Sequence, residues 1–314
     1  GKTTDLTAMG GVQYVHTFDK CLFMPSDLTA GLEYNRDRLK DNMWGYDRHT
    51  DQTVNIYSAF LQNEWKNERW SILVGGRLDK HNMVDNIIFS PRANLRFNPT
   101  QNINLRLSYS SGFRAPQAFD EDMHIENVGG TVAMIERAKD LKEEKSQSFS
   151  VSADMYHRFG AFQTNLLIEG FYTRLTDVFV LGKPYDRGDG ILVKTRSNGP
   201  GAKVMGLTLE GKVAYLSILQ IQAGLTLQRS RYDEPHKWHD DVPAKRTIFR
   251  TPNVYGYFTA TYIPIKPLSI ALSGTYTGSM FVQRMDITAE NAAMGDMPER
   301  KAEAVKTPKF LDLG

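Results

Sequence analysis

Acidic and imidazole residues crowd one short stretch: Asp120, Glu121, Asp122, His124 and Glu126. Oxygen donors this close together can hold a hard cation or a cationic ligand, and a solvated acidic loop has the same composition. A second group holds His236, Trp238, His239, Asp240 and Asp241. Its two imidazoles would suit a metal ion, although loop histidines are usually just exposed. Cations gather elsewhere, with Arg114, Arg187, Arg231 and Arg284 set among Tyr185 and Tyr232. Guanidinium forks and phenol hydroxyls in that mixture suit an anionic chelate. Arg114 has a plainer alternative, pairing with Glu143 or Glu144. No nucleophile stands beside a base, and there is no H-E-x-x-H, P-loop or dinucleotide glycine fingerprint. An enzyme is not expected, and neither is a cofactor.

The 314 residues carry 38 Lys and Arg against 36 Asp and Glu, so nothing points to nucleic acid as a partner. Cys21 is alone and can form neither an internal disulfide nor a thiolate cluster. The first ten residues have no apolar core of a signal peptide, so an exported form would have lost its leader. Hydrophobic residues make up 41%, mean hydropathy is −0.42, and no apolar run has the length of a membrane helix. A membrane barrel has this composition too, because half of each strand faces a wet lumen. Alternation, not hydropathy, decides.

Alternation is pervasive. Ile103, Leu105, Leu107 and Tyr109 are interleaved with Asn104, Arg106, Ser108 and Ser110, the period of a strand with one apolar and one wet face. Pro116 should end that strand, and Arg114 continues its wet face. The same plan predicts strands over 5–16, 27–36, 53–66, 70–81, 88–97, 146–159, 161–177, 202–216, 219–230, 253–263 and 268–280, with another starting at Phe310. A short strand is expected within 191–195 and a helical turn within 289–293. Connections are short near Asn67, Asn98, Gly160, Ser217 and Pro264, and long near Asp37, Gln117, Lys183, Arg231 and Ala289; the 82–87 link is shorter than its side demands. The expected fold is all-β, an antiparallel meander of about twelve strands and the start of a thirteenth.

Leu28, Leu32, Ile72, Val74, Leu105, Leu107, Val151, Ile221, Leu225, Ile270 and Leu272 should face lipid. Arg106, Ser108, Ser150, Gln222, Thr226, Ser273 and Thr275 should face the lumen. Interior charges such as Arg106, Glu33 and Arg77 should satisfy one another. Strand ends are aromatic: Tyr14, Phe18, Tyr34, Trp65, Trp70, Phe97, Tyr109, Phe113, Tyr156, Phe159, Tyr215, Tyr262, Tyr276 and Phe281. That placement fits interfacial girdles.

Ordered motifs carry a resemblance. Gly112-Phe113-Arg114-Ala115-Pro116 is followed by Leu141 and by Glu144-Lys145-Ser146, then Tyr172-Thr173-Arg174-Leu175-Thr176-Asp177-Val178. Next come Asn198-Gly199-Pro200-Gly201-Ala202, Gly206, Glu210, Thr251-Pro252-Asn253 and Phe310-Leu311-Asp312-Leu313. From about Ile103 onward this order resembles the barrel of TonB-dependent outer-membrane receptors. The resemblance implies a place in the bacterial outer membrane and energy-coupled import of a scarce ligand, a siderophore-iron complex or cobalamin. Its partners would be outer-membrane lipid, the imported ligand, a plug domain and an inner-membrane energy-coupling protein. The loops at the mouth would bind ligand, with Arg114, Asp120, Glu121, His124, Tyr185, Arg187, His236, Trp238, His239 and Arg284 as candidates. A barrel of about 22 strands is implied, so 1–314 reads as a fragment of the barrel domain without plug or terminal strands. Such a fragment would be an open sheet with edges pairing to another copy, or a smaller closure. A passive porin-like channel and a soluble secreted glycan-binding β-protein are the competing readings.

Overall fold

The computed structural model describes residues 1–117, 126–128, 131–183, 185–188, 192–237, 242–287 and 300–314. The first six strands are β1 (Lys2–Cys21), β2 (Met24–Met43), β3 (Arg48–Lys66), β4 (Trp70–His81), β5 (Ile88–Thr100) and β6 (Ile103–Arg114). Two loop strands, β7 (Glu126–Val128) and β8 (Thr131–Arg137), precede the hairpin of β9 (Glu144–Phe159) and β10 (Phe162–Thr176). Three more loop strands come next: β11 (Phe179–Leu181), β12 (Tyr185–Asp186) and β13 (Leu192–Asn198). Then come β14 (Ala202–Tyr215), β15 (Leu219–His236), the stub β16 (Lys245–Thr247), β17 (Val254–Ile265) and β18 (Leu268–Thr277). The hairpin β19 (Phe281–Ile287) and β20 (Arg300–Lys306) stands apart, and β21 (Phe310–Leu313) is last.

One antiparallel sheet of 14 strands runs β1-β2-β3-β4-β5-β6-β9-β10-β14-β15-β17-β18-β21, with β16 beside β15. The meander expected from alternation is therefore present, including a short thirteenth strand on its path. Among the described residues β1 pairs only with β2 and β21 only with β18, so the sheet ends on two edges.

Register explains how the strands build two opposed faces. Val12 stands opposite Leu32, Leu32 opposite Ala59, and Ala59 opposite Leu78. The same row logic links Leu95 to Leu107, Leu107 to Val151, Gly170 to Leu207, Leu207 to Leu227, and Ala260 to Leu272. Every residue expected to face lipid lies on this face, and every residue expected to face the lumen lies on the other. The apolar face is open: Leu32, Leu107 and Val151 are more than half exposed. Interior pairing is close to the expectation. Arg77 binds Glu33 at 2.6 Å and Asp79 at 2.8 Å, whereas Arg106 donates to Asn104 at 2.8 Å.

Aromatic rings border the apolar face at both ends. At the short-turn end Phe23 stacks on Trp65, Trp70 on Phe97, and Phe162 lies between Phe159 and Tyr215. At the long-loop end Tyr34 meets Tyr57, and Tyr109 meets Phe149. Ten positions separate Phe162 from Tyr172 on β10, and at about 3.3 Å per residue and a tilt of about 40° that is a band about 25 Å tall. Two of the expected girdle rings are elsewhere. Tyr156 falls on the polar face, where its hydroxyl donates to Asp154, and Phe281 belongs to the separate hairpin β19–β20.

Polar composition conceals strand in several connections. The expected 37–52 loop is strand almost throughout, because β2 and β3 pair as far as Met43 and Arg48. Likewise β15 continues to His236, and 281–308 contains a hairpin. Beyond a hydrocarbon layer a strand has no apolar face to present, so its alternation disappears while its ladder persists. One pair is parallel, against the expectation of antiparallel pairing throughout: β8 runs beside β13, with Val193 opposite Met134. Both are returning limbs of their loops, leading into β9 and β14, and so point the same way. The expected helical turn at 289–293 lies outside the described residues.

Gly224 marks where two strands approach closely. A Cβ there would come within 2.5 Å of the Tyr257 ring, whose hydroxyl donates to Glu210 and accepts from Gln222 at 2.6 Å. Gly211, also mid-strand, has nothing within 4 Å of the corresponding point. Gly224→Leu should therefore cost about 1–3 kcal/mol and Gly211→Leu little, as read by urea unfolding in detergent; equal effects would contradict the packing described.

Candidate functional site

The long connections converge on the polar face at one end of the sheet. There β7, β8, β11, β12 and β13 form a second, five-stranded sheet. It has its own small core, in which Met134, Val178 and Val193 are buried. Leu39 and Val54, on the polar-facing side of β2 and β3, are buried too. The wet face thus turns apolar where loops cover it.

Asn198 clamps two loops together. Its carboxamide accepts from the Lys142 N–H at 2.8 Å and donates to the carbonyls of Lys142 at 3.0 Å and Asp177 at 2.8 Å. The Glu144 carboxylate accepts from the Phe179 N–H at 2.8 Å, and Arg137 donates to the Pro116 carbonyl at 2.9 Å. His81, fully buried at the end of β4, ties the start of the 117–139 connection to the 82–87 link. Its Nδ1 accepts from the Met83 N–H at 3.0 Å, so Nε2 carries the proton and donates to Gln117 Oε1 at 3.2 Å.

These ties frame a cleft of about 770 Å³. One wall is the β2–β3 tip with Asp47, Arg48 and His49. The other is β8 and the segment leading on to β9, including Glu136, Arg137 and Lys139, with Arg187 at the rim. Arg48 is held by the buried Asp41 carboxylate at 2.7 Å, which also accepts from Thr3 at 2.6 Å. With Arg48 offset by Asp41, the described lining holds Arg137, Lys139 and Arg187 against Asp47 and Glu136, one positive charge in excess.

Comparison with known proteins fixes the family. The model of the TonB dependent receptor-like beta-barrel matches residues 3–302. The chain belongs to that family. No curated protein sequence matches it. The fold is similar to the siderophore receptor PirA from Pseudomonas aeruginosa, with a TM-score of 0.67 at 16% identity over 92% of this chain and 52% of that one. A mutant of the ferric enterobactin receptor PfeA from the same organism, in complex with enterobactin, gives 0.67 at 16% over 99% and 46%. The FrpB iron transporter from Neisseria meningitidis gives 0.66 at 16% over 99% and 48%. The chain spans about half the length of these receptors.

Within this TonB-dependent barrel, only some of the anticipated residues meet. Arg187 lines the cleft, and the Tyr185 hydroxyl lies 3.5 Å from Glu136 on its wall. Arg114 is near but turned aside, its guanidinium 5.6 Å from the centre of the Phe179 ring and its backbone opposite Glu144. His236 packs against Tyr232 at 5.5 Å, and burial pushes its imidazole pKa down. Arg284 sits on the β19–β20 hairpin opposite Glu303, away from the cleft. Arg231 is not a mouth residue, because β15 continues past it and its parity sends it to the outer face. Asp120, Glu121, Asp122, His124, Trp238, His239, Asp240 and Asp241 lie outside the described residues. Lys139, Arg137, His49 and Asn198 are additions that the sequence does not single out as site residues; only Asn198 has a signal, as first residue of its family segment.

Burial lowers the His81 pKa below the usual imidazole value. A lowered folded-state pKa means the neutral ring's contribution is complete above about pH 6.5 and is lost as pH falls below it. Deuterium exchange at the Met83 amide should quicken between pH 7.5 and 5 relative to a midstrand amide such as Leu107. The His81→Gln variant should lack that pH response. A response that survives in His81→Gln would place its origin in another group.

Proposed function

We propose that this protein is the barrel part of an outer-membrane receptor for energy-coupled import of an anionic metal chelate in a Gram-negative bacterium. In the whole receptor a plug domain and an inner-membrane energy-coupling protein would serve transport. The observation that carries this reading is the cationic cleft framed by clamped loops on the polar face. A ferric chelate of the siderophore class, with negative charge on its periphery, suits Arg137, Lys139 and Arg187, since charge complementarity selects and steers such ligands. A cobalamin, lacking net negative charge, uses that lining less well. The named neighbours are receptors and transporters of siderophores or iron, which supports the same reading. The open apolar band argues against a soluble glycan-binding protein. Loops packed over the polar face argue against a passive pore.

The test is uptake by whole cells. Lys139→Glu with Arg187→Glu should reduce uptake of a radiolabelled ferric tricatecholate by about tenfold or more, at unchanged protein level in the outer membrane. Uptake of cyanocobalamin should be absent in both forms. Undiminished uptake of the catecholate and of a carboxylate ferric chelate in the double variant would reject the cleft as the binding site.

A further inference from the structure

The apolar outer face is not uniform. Gly170 makes a dent in it, where a Cβ would touch only Val151, at 3.6 Å. Around the dent Leu107, Val151, Leu207 and Leu227 wall a groove of about 800 Å³, with Tyr172 and Met205 at its upper end. The groove is shallow and open, an apolar surface along which a lipid acyl segment can lie.

Just above, the same outward positions become cationic. Arg174 stands opposite Lys203, and Lys203 opposite Arg231, so three cations form one row across β10, β14 and β15. Arg229 stands opposite Met205 and reaches the groove itself. Strands lie about 4.8 Å apart, and like charges directly opposite one another are destabilising. Asp233 offsets part of this, 3.0 Å from Arg174 and 3.8 Å from Lys203. Lys145 flanks the row, with Glu143 at 3.0 Å. Among the described residues Arg229 and Arg231 hold no ion pair and are exposed. The cluster is on the face away from the cleft and immediately beyond the Tyr109–Phe149 ring pair, at the level where headgroups would sit.

A row of outward cations over an apolar groove at the membrane boundary has one natural complement. We infer that this face binds an outer-leaflet lipid with a phosphate-bearing headgroup, its phosphate against Arg174, Lys203, Arg229 and Arg231 and an acyl chain along the Gly170 groove. The inference uses the membrane placement proposed above and is independent of what the cleft carries.

Native mass spectrometry of the protein in maltoside detergent tests it, in the absence of any metal chelate. Phosphatidic acid, phosphatidylcholine with the same acyl chains, and inorganic phosphate are titrated in parallel. Phosphatidic acid should bind about tenfold or more tighter than phosphatidylcholine. Arg229→Gln with Arg231→Gln should abolish that preference, and Arg229→Lys with Arg231→Lys should retain it. Gly170→Leu should weaken both lipids alike, by about fivefold or more. Equal binding of the two lipids by the unaltered protein, or a preference that survives the double Gln variant, would overturn the assignment. So would inorganic phosphate displacing phosphatidic acid at matched concentration, which would mark a free-anion site. Loss of chelate uptake in the cleft variant with lipid preference intact would separate the two proposals.

Discussion

Backbone hydrogen bonding in a medium without water is the constraint on which the rest of this structure depends. In hydrocarbon each unpaired N–H or C=O costs several kcal/mol, so a spanning sheet must pair strand after strand. Pairing with unbroken parity has a second effect. Along the path from β1 to β21 the register irregularities fall near short turns, at Phe18/Cys21, Phe97/Thr100 and Tyr262/Ile265. Between them no slip flips a strand, so apolar residues from thirteen strands share one face.

The polar face resolves a different problem. Charges and amides there neighbour one another across strands, as Arg77 does Glu33 and Asn165 does Asp154, and along them, as Arg77 does Asp79 and Lys212 does Glu210. Towards the long-loop end this face changes character, and Leu39 and Val54 are buried under cover. A loop of twenty or more residues loses much conformational freedom when it is fixed in place. Here two loops offset that cost jointly, through β8–β13 pairing, a small apolar core and the three bonds of Asn198. The result is a cleft whose walls come from connections far apart in sequence yet held in one geometry, as a ligand site requires.

Charge is sorted by two different devices. Loop packing brings Arg137, Lys139 and Arg187 to the lining of the cleft, while strand parity sets Arg174, Lys203, Arg229 and Arg231 outside the sheet above its apolar band. At sequence level these two sets are indistinguishable, being Lys and Arg in polar surroundings near strand ends. Their separation gives the chain two surfaces of positive charge, one lining the cleft among the loops and one on the opposite face above the apolar band.

Strand existence and facing are legible in the sequence because side-chain direction in a strand has period two and is therefore local. Ile103 to Ser110 declare both faces without help from any other segment, and β4 runs from Trp70 to His81 as alternation alone predicts. The ordered motifs from Gly112 to Leu313 carry the family in the same way. What the sequence does not state is anything that depends on where a ladder stops or on which loop meets which. Arg231 reads as a mouth residue because its surroundings are polar; only the continuation of β15 to His236 fixes its parity and turns it outward while Tyr232 turns in. His81 and Gln117, or Asn198 and Lys142, are 36 and 56 positions apart. No periodicity encodes such meetings, since they arise from two loops packing on a shared face, and that packing is decided only when the whole sheet is in place.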